Sequence, residues 1–371
     1  ARRQRQMCIR DRYNAVLIAH EKMNVYAYIS ILEALLKLGI VYLLVIVSAD
    51  KLIVYGMLVF AVQLIIRIVY QMYCRRHYEE SRFKLFWDKA LYQQMSGFAG
   101  WNLFGSVAWL VRDQGTNIVL NLFFGPAINA ARGVASQVSN AVMGFISNFQ
   151  VALNPQITKD YATGNITGME RLSYLGIKYS FLILFMMAFP LCLNIDYVLH
   201  LWLVDVPDYA ALFIILIMID ALCGTLFGTP FMTSLSATGW IRNYQIVVSC
   251  IILCIFPIGY IALKFGCSAS SVFYISIFFT LIAGFVRFLF CRSLIGYSLK
   301  KLIKDAGVTV LSLPLPVFIK YHFLEAQTLG NFISLCIITA IVTMTISWFI
   351  GLKKTERNTL ISVVKNKLHK K

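Results

Sequence analysis

The chain alternates long apolar segments with short polar connections. An apolar stretch of about 20 residues is long enough to cross the hydrocarbon core of a membrane as a helix, and the sequence contains ten such stretches. We number them as predicted spans one to ten. They are Ala27–Ser48, Leu52–Tyr73, Phe98–Phe124, Ala127–Leu153, Leu175–Ile195, Tyr209–Phe231, Tyr244–Leu263, Ala269–Phe290, Ala306–Phe323 and Leu329–Gly351. The pattern predicts an all-α polytopic membrane protein.

Composition and charge support a membrane protein rather than a soluble one. Hydrophobic residues make up 59% of the chain and charged residues 14%, whereas soluble domains have roughly 45–50% and 25%. The net charge of +17 is concentrated in alternate connections and in the tail. If the connection after span two is cytoplasmic, the outside loops contribute only Lys51, Lys264 and Lys320. This positive-inside distribution predicts a cytoplasmic carboxyl terminus and argues against nucleic acid as a partner.

Catalytic and cofactor motifs are absent from the sequence. The nine cysteines are scattered singly, without the paired spacing of zinc or redox sites. There is no HExxH sequence and no glycine-rich phosphate loop. We therefore expect neither an enzyme nor a cofactor.

The first twelve residues are unlike the rest of the chain. Residues 1–12 (ARRQRQMCIRDR) lack an initial Met, and no apolar segment follows them as in a signal peptide. We expect a non-native leader, resembling a translated sequencing adapter, with native sequence from Tyr13. The alternative is a basic arm that binds anionic lipid.

Spans three and four carry a polar stripe. At 100° per residue, Asp113, Asn117 and Asn121 share one face of span three, with Arg112 beside them, and span four carries polar residues in the same manner. A charge at the bilayer centre costs about 2.5–3.5 kcal/mol, so such residues usually face a protein interior or a water-filled path. Phe124-Gly125-Pro126 predicts a tight turn between the two spans. The predicted cavity residues are Arg112, Asp113, Asn117, Asn121, Asn129, Arg132 and Asn140.

The two arginines suggest an anion site. The planar guanidinium group of Arg suits phosphate, so Arg112 and Arg132 are predicted to hold a phosphate or pyrophosphate group while Asp113 orients Arg112. The alternative is an internal ion-pair network that only joins helices. Asp220, near the middle of span six, has no basic residue within one helical turn. It is predicted either to couple transport to an ion or to be a neutral acid bonded to another helix.

Other charged residues in the spans receive simpler interpretations. Glu33 and Lys37 are four residues apart in the favourable order for a pair on one helix. Arg67, Lys178 and Arg287 lie near cytoplasmic ends, where long side chains extend to the interface, and no site role is assigned to them.

Two stretches resemble a known family. LVRDQGTNIVLNLFFGPAINAARGVASQVSNAVMGFISNFQVALNPQITKDYATGN resembles the start of the second half of bacterial polysaccharide exporters and O-antigen flippases, and HEKMNVYAYISILEALLKLGIVYLL resembles their fifth span. These proteins belong to the multidrug/oligosaccharidyl-lipid/polysaccharide (MOP) superfamily, which has a MATE-like fold. The resemblance extends over nearly everything after residue 12.

The resemblance implies two six-helix bundles around a central cavity, often with two further helices. Residues 13–97 would then be the last two helices of the first bundle and a cytoplasmic loop, and residues 98–293 the second bundle. Residues 294–351 would be the further helices and residues 352–371 a basic tail. On this scheme the family's first four spans are missing. Arg112 and Arg132 match the family's basic cavity residues.

The function implied by the resemblance is flipping of undecaprenyl-pyrophosphate-linked oligosaccharide across the bacterial inner membrane. The substrate and membrane lipids would be the partners of a monomer, and a polysaccharide polymerase and a chain-length regulator are further possible partners. Two alternatives stay open. One is a cation-coupled multidrug exporter with Asp220 as the coupling acid. The other is a polysaccharide polymerase, but polymerases usually need a larger outside loop than residues 194–208.

Overall fold

The computed structural model describes residues 17, 23–46, 50–78, 88–302, 329–346, 348 and 357. Across these residues the regular structure is helical, without strands. The helices are α1 (Met23–Ile46), α2 (Lys51–His77), α3 (Lys89–Ala162), α4 (Ile166–Leu193), α5 (Ile195–Trp202), α6 (Ala210–Leu226), α7 (Thr229–Ala237), α8 (Arg242–Leu253), α9 (Ile255–Lys264), α10 (Ser271–Ile295) and α11 (Leu329–Ile346). The prediction of an all-α chain is confirmed for this part of the sequence.

Seven helical segments of the described chain are long and apolar enough to cross a membrane. Predicted spans one, two, five, six, seven and eight each match one of them, and spans three and four both lie within the segment Met95–Ala162. In span ten the apolar helix Gly330–Val342 is shorter. Span nine lies outside the described residues. The chain is thus a multi-pass membrane protein by the length and composition of its helices.

The chain divides into two compact units, Ala1–Tyr92 and Gln93–Lys371. In the first unit α1 and α2 pack against each other around Ile40, Ile66 and Tyr70, while much of their remaining apolar surface is exposed. Large exposed apolar side chains are expected of helices in contact with lipid. The predicted pair of Glu33 and Lys37 is confirmed, with 2.8 Å between Oε1 and Nζ.

In the second unit, α3 folds back on itself at Gly125. This residue has φ 79° and ψ −173°, a conformation that residues with a Cβ rarely adopt. Pro126 follows at the first position of the next helical stretch, where its fixed φ and missing N–H are tolerated. Arg132 contacts Asp113, although residues nineteen apart in one straight helix would be about 28 Å apart. The predicted hairpin is therefore confirmed, and we call residues 89–124 its first arm and residues 126–162 its second arm.

Helices α4, α6 and α10 form the centre of the second unit. Helix α6 packs against both α4 and α10, and side chains such as Leu184, Phe213 and Phe273 are buried between them. Predicted span six is not one helix, because α6 ends and α7 begins on either side of Phe227 and Gly228. Gly224, Gly228 and Pro230 lie at this break, and Gly and Pro are the residues that interrupt helices.

The connection after α4 is more ordered than the predicted loop 194–208. It contains the short helix α5, which buries Ile195 and Leu199. Both residues join the same apolar cluster as Phe213. Burial of these two side chains gives the segment a reason to fold as a helix rather than as an extended loop.

A buried hydroxyl cluster lies just beyond the end of α10. The Tyr297 hydroxyl donates to Ser234 Oγ at 2.9 Å, and Ser173 Oγ lies 3.1 Å from the Tyr297 oxygen. Burial raises the pKa of Tyr297 to about 12, against the opposing effect of its bonds to the two serines. Next to this cluster, Glu170 accepts from Lys301 Nζ at 2.5 Å. The residues after α10 are thereby bound to α4 and α7.

Candidate functional site

A cavity of about 510 Å³ lies in the second unit. Both arms of α3 line it, together with α6, α7 and α10 and the break between α6 and α7. The charged residues in its wall are Arg112, Asp113, Arg132, Asp220 and Arg287. These residues belong to segments long and apolar enough to span a membrane, so the cavity places charge at membrane depth inside protein rather than against lipid.

Arg112 connects three helices. Its Nη2 binds Asp220 Oδ2 on α6 and donates to Ser276 Oγ on α10 at 2.5 Å. Ser276 in turn lies 3.3 Å from the same Asp220 oxygen, and the Arg112 guanidinium lies 4.7 Å from the centre of the Trp109 ring. The first arm of α3 is therefore joined to both α6 and α10 through one guanidinium group.

Arg132 connects the two arms of α3. Its Nη2 donates to Asp113 Oδ1 at 2.7 Å, and its Nη1 donates to Asn117 Oδ1. The Arg132 side chain is 8% exposed, whereas that of Asp113 is 60% exposed. The pair thus extends from a buried arginine to a carboxylate at the surface of the site.

One detail of the predicted pairing is wrong, because Asp113 was predicted to orient Arg112 but binds Arg132. Asp220 was predicted either to couple transport to an ion or to be a neutral acid bonded to another helix; it contacts Ser276 on α10 and is paired with Arg112 on α3. Spacing along one helix reveals only neighbours on that helix. The hairpin at Gly125 brings Arg132 to Asp113, and tertiary packing brings Asp220 to Arg112, so neither partner was visible in the local pattern.

The predicted asparagines have different positions. Asn140 lines the cavity, and Asn117 supports Arg132 from beside it. Asn121 and Asn129 are not part of the cavity wall. They lie four residues before and four residues after Gly125, at the closed end of the hairpin and beyond the cavity.

Several polar residues of the cavity wall were not predicted to belong to the site. On the second arm Gln150 is buried and donates to Ser180 at 3.1 Å. On α10 the missed residues are Ser276, Thr280 and Arg287. Their spacing of four and seven residues places all three on one face of a helix, and this signal was available in the sequence of span eight.

Arg287 lies at the break between α6 and α7. Its Nη1 donates to the Phe227 carbonyl at 2.8 Å, an oxygen at the end of α6 where the regular helical bonding stops. Its Nε is buried and makes no hydrogen bond. The predicted role, extension of the side chain to the interface, does not describe this position, because Arg287 is in the cavity wall.

The cavity wall has an excess of positive charge. It contains three arginines and two aspartates, and each aspartate is paired with a different arginine. The described residues contain no group of three or more His, Cys, Asp or Glu side chains placed to hold a metal ion. The chemistry of the wall therefore favours an anion over a metal ion.

Comparisons of the chain with protein-family models, with curated proteins and with solved structures give no match.

Proposed function

We propose that the protein is a transporter that moves a lipid-linked oligosaccharide, carried on undecaprenyl pyrophosphate, across the bacterial inner membrane. The observation that carries this proposal is the 510 Å³ cavity, whose wall of membrane-length helices contains a net positive set of charged residues. In the MATE-like, two-bundle fold that the sequence resemblance implies, this cavity would belong to the second bundle.

The chemistry of the cavity fits an amphipathic substrate with an anionic group. Arginines can bind phosphate oxygens through two N–H groups at once. Hydroxyl and amide side chains such as Ser136, Ser139 and Asn140 also line the cavity and can bond to sugar hydroxyl groups. Meanwhile the exposed apolar helix surfaces are compatible with a prenyl chain that stays in the lipid phase.

Transport can be measured in vesicles. The full-length protein is reconstituted into proteoliposomes that contain a fluorescent undecaprenyl-pyrophosphate-linked oligosaccharide, and a membrane-impermeant quencher reports the fraction in the outer leaflet over time. We expect the protein to accelerate exchange between leaflets and the double variant R112Q/R132Q to slow it by at least about tenfold, since these arginines hold the helices of the cavity wall together through their ion pairs with Asp220 and Asp113.

The matched control is Arg292→Gln. Arg292 is an exposed arginine in the last turn of α10 and is not part of the cavity wall, so this variant should retain transport. Equal rates in vesicles with and without the protein would contradict the proposal, as would equal rates for wild type and the double variant at matched incorporation.

The multidrug-exporter alternative loses its main support in this structure. It relied on Asp220 as an unpaired carboxyl that could carry a proton, and Asp220 is bound to both Arg112 and Ser276. Moreover, a net positive wall is poorly suited to the cations that such exporters would carry. We therefore propose no second function.

A further inference from the structure

We propose that Arg287 and Thr280 form the subsite that binds the phosphate-type anion of the substrate, in place of the pair of arginines suggested by the sequence. This inference rests on the proposed function and names the residues that would carry its anion recognition. Both residues lie on α10 and both line the cavity.

The first argument is the pairing of the three cavity arginines. Arg112 is bound to Asp220, and Arg132 is bound to Asp113. Among the residues that the structure describes, no carboxylate lies within 4 Å of Arg287; its polar contact is the neutral Phe227 carbonyl at 2.8 Å. An anion that binds Arg112 or Arg132 must displace a carboxylate, whereas an anion that binds Arg287 displaces none.

The second argument is unused hydrogen-bonding capacity. The Nε of Arg287 and the hydroxyl of Thr280 are both buried without a partner. A buried donor without a partner is unfavourable, so a native protein usually keeps such groups for a ligand or for water. The two residues that carry these groups, seven positions apart on one helix face, both line the same cavity.

The third argument is the way in which Arg287 is held. Its Nη1 is fixed on the Phe227 carbonyl, and its guanidinium group lies 6.0 Å from the centre of the Tyr244 ring. Gly284, one turn earlier on the same helix, allows close packing here, because a Cβ at this position would lie 2.7 Å from Phe227 Cβ. The side chain is therefore positioned before any ligand arrives, which lowers the entropic penalty of binding.

Binding of a simple probe tests this subsite. The purified full chain in phosphatidylcholine nanodiscs is titrated with inorganic pyrophosphate by isothermal titration calorimetry. We expect saturable binding that weakens by about tenfold or more in Arg287→Gln and stays unchanged in Arg292→Gln, the exposed arginine on the same helix. Wild-type affinity in Arg287→Gln would overturn the subsite, as would an equal loss in Arg292→Gln.

A second variant covers the possibility that Arg287→Gln does not fold. Lys at position 287 keeps the charge but cannot present two parallel N–H groups, so Arg287→Lys should bind more weakly than wild type. Thr280→Val, which removes the hydroxyl at similar volume, should also weaken binding by several-fold. Unchanged pyrophosphate affinity in both of these variants would overturn the proposal without any use of Arg287→Gln.

The source of the anion is decided by a parallel titration with farnesyl pyrophosphate. Tighter binding than pyrophosphate, with the same sensitivity to Arg287→Gln, supports the subsite and identifies the anion as that of a prenyl lipid. Equal affinity supports the subsite as a site for the free anion. Binding of farnesyl pyrophosphate that is insensitive to Arg287→Gln overturns the subsite as the anion site of a lipid.

The subsite and the proposed function can fail separately. If wild type accelerates lipid-linked oligosaccharide exchange and Arg287→Gln leaves both exchange and pyrophosphate binding unchanged, the subsite is wrong and the function stands. If pyrophosphate binding depends on Arg287 while the wild-type protein moves no lipid-linked oligosaccharide, the subsite stands and the transport function is wrong.

Discussion

Arg112 and Asp220 lie 108 positions apart in the sequence and form an ion pair in the cavity wall. Ser276 completes the contact from a third helix. This single group of side chains joins the first arm of α3, the middle of α6 and the first half of α10. The polar stripe of the sequence is therefore structural as well as chemical, since it holds together the helices that enclose the cavity.

Removal of one partner of this pair should destabilise the second unit. Asp220→Asn leaves Arg112, whose side chain is only 11% exposed, without its counter-charge, and we expect a loss of up to about 3 kcal/mol. Thermal unfolding of the purified protein in detergent measures the effect. Asp205→Asn, an exposed acid in the connection after α5, is the control and should melt like wild type. A melting temperature for Asp220→Asn equal to that of the control would contradict this role.

The pair of Arg132 and Asp113 should behave differently. The side chain of Asp113 is 60% exposed, so water screens its attraction to Arg132 and can solvate the side chain when the ion pair is absent. We expect Asp113→Asn to lower the free energy of unfolding by less than about 1 kcal/mol. The same melting experiment compares it directly with Asp220→Asn, and a larger loss for Asp113→Asn would reverse the ranking that burial predicts.

Gly125 should not tolerate a side chain. Its φ of 79° with ψ −173° is essentially a glycine conformation, so Gly125→Ala should destabilise the protein by about 1–3 kcal/mol. Gly133→Ala is the matched control, because Gly133 is within the helical second arm and a Cβ there would meet no atom within 4 Å. Chemical unfolding monitored by circular dichroism should separate the two variants. Equal stability would mean that the turn relaxes into another conformation.

The stability of the protein should depend on Tyr297 at high pH. Burial raises its pKa from 10.0 to about 12, so between these values the unfolded state loses the phenol proton while the folded state keeps it. The contribution of Tyr297 to the free energy of unfolding is therefore constant below about pH 10 and falls as the pH rises toward 12.

Comparison of wild type with Tyr297→Phe isolates this effect from other titrating groups. At neutral pH the variant should be less stable by about 1 kcal/mol, because it loses the hydroxyl bond to Ser234. The difference in the free energy of unfolding between wild type and the variant should change by about 2 kcal/mol by pH 12, so that the variant becomes the more stable protein. Parallel stability curves for the two proteins across pH 10–12 would show that Tyr297 does not titrate in this window.

The sequence was sufficient to locate most of the membrane helices and the hairpin. Length and hydropathy identify a span without reference to the rest of the chain, and Gly125-Pro126 is a local signal for a turn between helices. Gly224, Gly228 and Pro230 are likewise local signals for the break within span six. Each of these features is determined by residues close together in the sequence, which is why each could be predicted.

The partners of the charged residues could not be predicted in the same way. Asp220 has no base nearby along α6, and its partner comes from α3 through packing alone. Arg287 was placed at the interface because it lies near the end of an apolar segment, but the break at Phe227 and Gly228 provides a free carbonyl deeper in the protein. Periodicity shows which face of a helix is polar, whereas the identity of the facing helix depends on the whole fold.

The Gly125 turn also determines how the width of the cavity can change. The two arms of α3 are covalently joined there, and in ideal helical geometry Gln93, in the first arm, is about 48 Å away along its axis. A rotation of the first arm by about 10° would displace that distant end by roughly 8 Å, but it would move Asp113, about 18 Å from the turn, by only about 3 Å. Because the ion pair of Asp113 and Arg132 lies near the turn, it can remain formed while the far ends of the two arms separate. One unbroken contact is therefore compatible with a wide opening on a single side of the membrane.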